Sequence, residues 1–552
     1  MATHGNGDQT APLISGRRNE VSHSAVPPRP GVHFTGRGQK LLVTICILVT
    51  ELCERLTFYG VTANLVLFCS SELKLDSPWP SVTNYLFQGT CYLLPLFGGW
   101  LADAYLGRYN TIFGSSLLYV AGTIVLAAVP LNIDINHKKL TWSDSQKQSR
   151  LAFFVCALLL IAFGTGGIKA NVSPFGADQV EQDGPRAVQT FFNWFYWFIN
   201  VGSLIAFTLV VGVQEKNLFE GYAITAGTMF LAMIVFVTGR NKYLVKPPGG
   251  SQLSETGKII YNAIKNRDSP DAKMWLDNAK SRFGGKYTDG QVEDVKSLLR
   301  VIPVFTLFIV YWTIYSQMQT TFLIQASYMR LKISTSFTVP AASLSIFDTI
   351  AVLIFTPIMD HVVYPLLHYF GIRFTPLRRI GFGMLLAAAS VGVAGVVEMK
   401  RRETGPFQNQ TVFNETRNAS NLNVLWQIPQ FMLIGISEVL TVITGLELAY
   451  SQAPRCLRGL VMGMFLVTSC LGNYLASLLV FIVQKASKDD WYPSADPNKG
   501  HLEYFFFLLA GLMILNFVVW LIVSLKYKYK IVPQQDVITG NREPLQPTEG
   551  DV

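Results

Sequence analysis

Residues 49–60 read VTELCERLTFYG, and they lie inside a stretch from Leu41 to Phe68 that is otherwise mostly apolar. The stretch is long enough to cross a bilayer as a helix, which rises ~1.5 Å per residue. A charge in hydrocarbon costs roughly 3 kcal/mol or more, so such a charge indicates function. Glu51, Glu54 and Arg55 are spaced i, i+3 and i+4, which places them on one helix face where they can pair. This face is predicted to line a cavity in which the acids carry a proton and the cation holds a carboxylate.

Similar apolar stretches recur along the chain, whose 552 residues are 50% hydrophobic and only 15% charged. About twelve are long enough to span a bilayer. They lie near 41–68, 83–106, 111–131, 150–173, 190–213, 222–238, 300–324, 338–359, 377–398, 425–447, 457–484 and 502–527. We expect the first to be a span rather than a signal peptide, because it is longer than an h-region of roughly 7–15 residues. The pattern predicts an all-α membrane protein.

The order of these stretches predicts two six-helix bundles, since a charged segment divides the spans into equal halves. The predicted parts are a disordered cytosolic tail 1–36, a bundle 37–238, a linker 239–299, a bundle 300–528 and a cytosolic tail 529–552. Within the linker, Ile259, Ile260, Ala263 and Ile264 predict an amphipathic helix that lies along the membrane surface. The arrangement resembles the major facilitator fold, in which two bundles rock about a central site.

Charge and glycosylation signals predict the orientation. The net charge of +9 fits the positive-inside bias of a polytopic protein in contact with lipid, so we expect no nucleic-acid partner. The predicted loop 399–424 carries acceptor sites at Asn409, Asn414 and Asn418. Such sites are modified only on the lumenal or extracellular side, which places this loop there and the linker in the cytosol.

The amino-terminal tail carries one candidate sorting signal, Leu13-Ile14, with an acid at Asp8. An acidic dileucine motif is an endosome–lysosome address read by cytosolic adaptor proteins. Here the acid lies five positions before the pair instead of four, so the alternative is a tail that carries no signal. We therefore predict a lysosomal or late endosomal membrane and keep the plasma membrane as the alternative. The cysteines lack metal spacing, and the chain lacks a phosphate-binding loop and a nucleophile–base pair. We expect no enzyme, metal or cofactor, with the proton as the coupling ion.

Further charged residues occur within or beside the spans. Residues 99–108 read GWLADAYLGR, where Asp103 and Arg108 are predicted to pair as a gate or as an ordinary interfacial salt bridge. Glu447 lies nearer a membrane edge and is predicted to be a gate or a packing contact.

Three more charges are candidates for the cavity. Lys169 follows the glycine-rich run 163–167 near the end of a span, where it either snorkels or serves function. Asp348 and Glu438 lie in the middle of spans, where an acid is functional by default.

Several segments resemble the proton-coupled oligopeptide transporter family over nearly the whole chain. They are the triplet with the following Phe58-Tyr59-Gly60, residues 98–108, the run FFNWFY at 191–196 and GLELAYSQAP at 445–454. Residues 175–180 (FGADQV) and 311–321 (YWTIYSQMQTT) are most similar to the vertebrate peptide/histidine transporters.

The resemblance implies roles for the charged residues. Arg55 and Lys169 would hold the substrate carboxylate, Glu438 would take its ammonium group, and Glu51 and Glu54 would exchange the proton. The other expected site residues are Tyr59, Tyr92, Tyr196, Asn200, Trp312 and Ser316.

The chain also departs from the family pattern. Tyr85 stands where animal plasma-membrane members have a proton-linked histidine, Ser316 stands in place of an aspartate, and Asp348 in place of an asparagine. We hypothesise that Asp348 replaces the missing acid, either as a proton site or as the counter-charge of a histidine imidazolium.

Together these features predict a proton-driven symporter of histidine, dipeptides and tripeptides that works by alternating access. Two pH units supply roughly 2.7 kcal/mol per proton, enough for about hundredfold accumulation. One alternative is a transporter of another small anion such as nitrate. The other is a lysosomal membrane signalling scaffold in which transport is secondary.

Overall fold

The computed structural model describes residues 37–130, 144–266, 274–334, 337–372, 374–405, 407–413, 415–492 and 496–527. Both predicted tails, Leu13-Ile14 and the acceptor Asn414 lie outside these residues. The described chain is helical apart from short loops and one two-stranded antiparallel sheet.

The first bundle and the linker contain nine α-helices among the described residues. They are α1 (Arg37–Thr62), α2 (Leu65–Ser71), α3 (Trp79–Leu101), α4 (Arg108–Ala128), α5 (Asp144–Val180), α6 (Pro185–Ile205), α7 (Val211–Lys216), α8 (Leu218–Thr238) and, in the linker, α9 (Gln252–Lys265).

The second bundle follows with nine more in the described part. They are α10 (Asp289–Tyr315), α11 (Thr321–Ser327), α12 (Ile346–Ile358), α13 (Tyr364–Tyr369), α14 (Pro376–Glu403), α15 (Ile428–Glu438), α16 (Thr444–Gln452), α17 (Arg458–Ala486) and α18 (Leu502–Lys526). The strands β1 (Gln408–Val412) and β2 (Glu415–Ala419) form a hairpin between α14 and α15.

Ten helical stretches of the described residues are long and apolar enough to cross a membrane, and they run from α4 onward. The first two predicted spans also form helices, α1 and α3, of 26 and 23 residues. The all-helical membrane architecture is therefore confirmed, and the count of twelve spans stays a prediction.

Glycines set how closely the helices approach. A Cβ atom at Gly98 of α3 would lie 2.7 Å from the carbonyl oxygen of Gly166 in α5, so only glycine permits this contact. The glycine-rich run before Lys169 therefore presses α5 against α3. In the second bundle, a Cβ at Gly435 would lie 2.8 Å from the carbonyl oxygen of Asp348, which brings α15 against α12.

The linker corrects one prediction. The amphipathic helix forms as α9, but Ile259 and Ala263 are buried against residues of the linker and the start of α10, while Ile264 is 60% exposed. The helix α10 also begins at Asp289, before the predicted boundary at 300, because the Thr288 side chain accepts a hydrogen bond from the backbone N–H of Gln291 and starts the helix.

Ion pairs secure this linker core. Asp277 Oδ1 lies 2.6 Å from both Lys280 Nζ and Lys296 Nζ. Burial would raise the pKa of Asp277, but the hydrogen bonds and charges of the two ammonium groups lower it to about 2. The carboxylate is therefore ionised at neutral pH.

Candidate functional site

The charged triplet of α1 forms one buried cluster. Arg55 Nε lies 3.2 Å from Glu51 Oε1 and donates a hydrogen bond to Glu54 Oε2 at 2.5 Å. The other end of the guanidinium, Nη2, also pairs with Glu54. All three residues are buried, so the pairing that the i, i+3, i+4 spacing predicts is present and shielded from bulk water.

Helix α5 contributes a partner that sequence reasoning missed. The hydroxyl group of Thr165 donates to Glu54 Oε1 at 2.7 Å, so both oxygens of this carboxylate are engaged. Thr165 lies one helical turn before Lys169, so both residues are on the face of α5 that meets α1. That spacing is the only sequence signal for it.

Lys169 is half-buried, and its buried Nζ has no hydrogen-bond partner among the described residues. Its Nζ lies 3.8 Å from the ring centroid of Phe58 and 4.2 Å from that of Tyr92, and no described group accepts a hydrogen bond from it. Because α5 continues to Val180, the lysine lies well inside the helix, which excludes snorkelling from its end. Cation–π contacts hold the ammonium in place and leave its donors free for a ligand oxygen.

The second bundle presents two acids. Glu438 Oε2 accepts a hydrogen bond from the Tyr315 hydroxyl at 3.0 Å. Asp348 is 7% exposed, and its Oδ1 has no hydrogen-bond partner among the described residues. This oxygen lies 3.0 Å from the position that a Cβ atom of Gly435 would occupy. Gly435 lies one turn before Glu438 on α15. The two acids therefore occupy adjoining faces of α12 and α15 and interact electrostatically.

Aromatic rings connect the two charged groups across the bundles. The Tyr92 ring, which contacts Lys169, lies 6.5 Å from the ring of Trp312. Trp312 lies 5.3 Å from Tyr315, whose hydroxyl binds Glu438. We call Tyr92, Trp312 and Tyr315 the aromatic bridge. It joins an unpaired cation in the first bundle to the acids in the second.

The remaining predicted lining residues differ in how they are placed. The Tyr59 ring packs 5.4 Å from Phe207, and Tyr196 is 38% exposed. Asn200 donates to the backbone carbonyl of Tyr196 at 2.8 Å, and the Ser316 hydroxyl donates to the carbonyl of its own helix at Thr313. The polar groups of Asn200 and Ser316 are thus used within their helices.

The predicted pairing of Asp103 with Arg108 is wrong, and their role as a gate stays a prediction. Arg108 donates to Asp178 at 2.5 Å, not to Asp103, and Lys246 of the linker donates to the other oxygen of Asp178 at 2.8 Å. The reason is geometric: Asp103 lies in a π-helical turn, Ala102–Leu106, whereas Asp178 lies near the end of α5 and faces the start of α4. Glu447 is exposed on α16.

The bundles also meet in a neutral polar network at the end of the molecule that carries the hairpin. The Tyr85 hydroxyl donates to Gln317 Oε1 at 2.9 Å and lies 2.6 Å from Thr320 Oγ1. Gln88 donates to Gln319 Oε1 at 2.9 Å. Tyr85, the residue that replaces the expected histidine, therefore ties α3 to the end of α10. We call this network the Tyr85 gate.

Two of the three predicted glycan acceptors are described. Asn409 and Asn418 are directly opposite each other in the hairpin, and both are exposed. They lie at the same end of the bundles as the Tyr85 gate. Among the described residues, no group of three or more histidine, cysteine, aspartate or glutamate side chains is arranged to hold a metal ion.

Comparisons with known proteins give one family. A sequence profile of the POT family matches residues 109–498. Protein NRT1/ PTR FAMILY 8.1 of Arabidopsis thaliana is 37% identical over 549 residues, covering 88% of this chain and 93% of the relative. Solute carrier family 15 member 3 of Rattus norvegicus is 32% identical over 533 residues, covering 87% and 91%.

Solved structures agree with the sequence comparison. The crystal structure of an auto-inhibited POT family peptide transporter has a TM-score of 0.73 and 26% identity, with 90% of this chain and 99% of that chain covered. The POT family transporter PepTSo has a TM-score of 0.72 and 25% identity, with 88% and 98% covered. The fold is therefore that of these membrane transporters.

Proposed function

The chain belongs to the POT family of proton-coupled peptide transporters, and from this membership we propose that it carries histidine, dipeptides and tripeptides with protons from the endolysosomal lumen to the cytosol. The observation that carries the proposal is the separation of charge between the two bundles. An unpartnered lysine lies in one bundle, two acids lie in the other, and the aromatic bridge joins them.

This separation of charge suits a zwitterion. The substrate carboxylate binds Lys169 and Arg55, and its ammonium group binds Glu438. A small inorganic anion such as nitrate, which the names of the plant relatives suggest, would satisfy the lysine but leave Glu438 and Asp348 without a cation. Burying unpaired acids beside such a ligand is costly, so the arrangement favours an amino acid or a short peptide.

The triplet supplies a coupling step. In the unloaded state Arg55 is held by Glu51 and Glu54, and Thr165 fixes the second oxygen of Glu54. Protonation of one of these acids from an acidic lumen weakens its pairing with Arg55. The guanidinium donors then become available for the substrate carboxylate, so proton and substrate bind together.

Alternating access follows from where the substrate sits. A ligand that bridges Lys169 and Glu438 draws the two bundles together, while the Tyr85 gate must open to admit the ligand from the lumen. The gate contains neutral hydrogen bonds, each worth roughly 1 kcal/mol net, so substrate binding energy is sufficient to compensate for its opening. Release to the less acidic cytosol removes the proton and restores the triplet.

Asp348 is proposed to take part in proton coupling or in binding histidine. Its unpartnered Oδ1 lies beside Glu438, where it serves as a second proton site or as the counter-charge for the imidazolium of histidine. The proposed compartment rests on Leu13-Ile14 and on the need for an acidic lumen, and the plasma membrane is the alternative.

Radiolabelled uptake tests the proposal directly. Cells would express a Leu13→Ala, Ile14→Ala variant, which lacks the candidate sorting signal, surface expression would be checked by biotinylation, and uptake of histidine, alanyl-alanine and nitrate would be measured at pH 5 and pH 7. We expect saturable uptake of histidine and the dipeptide that is greater at pH 5, and its loss in Glu438→Gln. Uptake of nitrate alone would overturn the zwitterion assignment.

A further inference from the structure

A cavity lies outside the central site, at the hairpin end of the bundles. Its volume is about 530 Å³, within the ~300–1,000 Å³ usual for small-molecule sites. Residues of α2, the start of α3 and the hairpin line it, and Tyr328 forms part of its wall. None of its lining residues belongs to the triplet, the aromatic bridge or the acid pair.

A buried arginine is fixed in the wall of this cavity. Arg417 of β2 is 7% exposed, and its Nη1 donates to Ser327 Oγ at 2.5 Å. Its Nη2 donates to Ser70 Oγ and to Glu415 Oε2, both at 3.2 Å. Its Nε is buried and has no hydrogen-bond partner among the described residues. Three of the five guanidinium N–H groups therefore hold Arg417 in place, and the Nε donor is unused.

The charged residues that line the cavity include both cations and acids, so they can bind both ends of a zwitterion. Glu415 accepts from Arg417 and also lies 3.2 Å from Lys74 Nζ, so one carboxylate faces two cations. A ligand carboxylate would pair with the second cation, the Arg417 guanidinium or Lys74. Asp76 and Asp496 also line the cavity and can accept from an ammonium group. Because cations and acids both line the cavity, it fits a zwitterion that carries a carboxylate better than a simple anion.

The cavity adjoins the Tyr85 gate on its outer side. Tyr492, which lines the cavity, has its hydroxyl 2.7 Å from Ser81 Oγ, and Ser81 lies one helical turn before Tyr85 on α3. A ligand held there would therefore lie next to the contact that has to open.

We propose that this cavity is a second binding site, which holds the carboxylate of an amino acid or short peptide on Arg417 before the Tyr85 gate opens. The proposal rests on the proposed function, since it takes the same class of substrate. It adds a site in which binding does not require Lys169 or Glu438.

Calorimetric titration of purified full-length protein tests the site. The probes are alanyl-alanine and its carboxy-terminal amide, which lacks the carboxylate. The protein would be enzymatically deglycosylated, because Asn409 and Asn418 border the cavity. In a Lys169→Gln, Glu438→Gln variant, we expect the dipeptide to bind still and the amide to bind at least tenfold more weakly. Adding Arg417→Lys, which keeps the charge but removes the guanidinium, should weaken dipeptide binding at least tenfold.

The outcomes separate the two proposals. If wild-type protein binds the dipeptide at one site only and the central-site variant binds none, the second site is wrong and the proposed function stands. If wild-type protein binds no dipeptide, both are wrong. Should the Arg417→Lys variant fail to fold, Lys74→Gln is added instead to the Lys169→Gln, Glu438→Gln variant. If the dipeptide then binds as tightly as before, its carboxylate does not bind to Lys74, Glu415 and Arg417.

Discussion

Thr165 and Glu54 are joined by a 2.7 Å hydrogen bond between α5 and α1, and the other oxygen of the same carboxylate binds Arg55. The carboxylate that governs Arg55 is thus positioned from two helices at once. Among the described residues, the Thr165 hydroxyl donates to the triplet and not to the aromatic bridge or the acids of the second bundle, so we expect it to affect transport through the triplet.

Replacing Thr165 by valine should impair proton-driven transport. The substitution keeps the shape but removes a hydrogen bond to a charged group, worth roughly 1.5 kcal/mol, so we expect uptake at pH 5 to fall about tenfold. Counterflow, in which labelled substrate exchanges without net proton movement, should be nearly unchanged. Thr165→Ser retains the hydroxyl and serves as the control. Equal losses in uptake and counterflow would indicate a general structural effect instead.

Lys169 should be required for ligands that carry a carboxylate. In Lys169→Gln the buried positive charge is lost, and a hydrogen-bonded charge pair contributes roughly 2–3 kcal/mol, so the KM for alanyl-alanine should rise about 30-fold or more. The amide of the dipeptide, which gains little from the lysine, should be a poor substrate of both proteins. If the ratio of uptake of alanyl-alanine to uptake of its amide were the same in Lys169→Gln as in wild type, Lys169 would not bind the carboxylate.

Asp348 should control the response to pH. We expect Asp348→Asn to reduce histidine uptake at least fivefold and to flatten its pH profile, because the unpartnered carboxylate is the group available to a proton or an imidazolium. Asp360→Asn is the matched control, since Asp360 is an exposed acid in the next turns of the same helical segment. If histidine uptake and its pH profile were unchanged in Asp348→Asn, the hypothesis would be wrong.

The Tyr85 gate should loosen when its hydroxyl is removed. Tyr85→Phe loses the contacts to Gln317 and Thr320, which we expect to increase amide hydrogen exchange about fivefold in residues 316–327, corresponding to roughly 1 kcal/mol. Tyr222→Phe is the control, because that hydroxyl is equally buried but has no hydrogen-bond partner among the described residues. Unchanged exchange in Tyr85→Phe would show that other contacts close this end.

The linker core should depend on Asp277 over the whole physiological pH range. The folded-state pKa of about 2 lies below the ~3.9 of an exposed aspartate, so its stabilisation is complete above about pH 4 and is lost as the pH falls toward 2. Asp277→Asn should therefore increase amide exchange in α9 by the same factor at pH 5.5 and pH 7.5, after correction for intrinsic rates. Asp289→Asn, at an exposed pair with Arg282, should have little effect. If Asp277→Asn and wild type exchanged α9 amides at the same rate at pH 5.5 but not at pH 7.5, the low pKa assigned to Asp277 would be wrong.

One prediction failed because it used neighbours in sequence as a guide to neighbours in space. Asp103 and Arg108 are close along the chain, yet a π-helical turn separates them and Arg108 binds Asp178, 70 residues away. The apolar face of α9 looked like a membrane-surface helix, but Leu276 and Val292 of the same linker region cover part of that face. Periodicity identifies an apolar face and does not identify what covers it.

The sequence by itself determined the helical class, the buried triplet and the charges that define the site. These follow from local rules: the length of an apolar run, the i, i+3, i+4 spacing on one face, and the cost of an unpaired charge in hydrocarbon. Only the tertiary structure decided that Thr165 holds Glu54 and that Tyr85 binds Gln317. The first pair is separated by 111 positions in the sequence and the second by 232. Such contacts depend on how helices pack around glycines such as Gly98 and Gly435, and no local pattern encodes that packing.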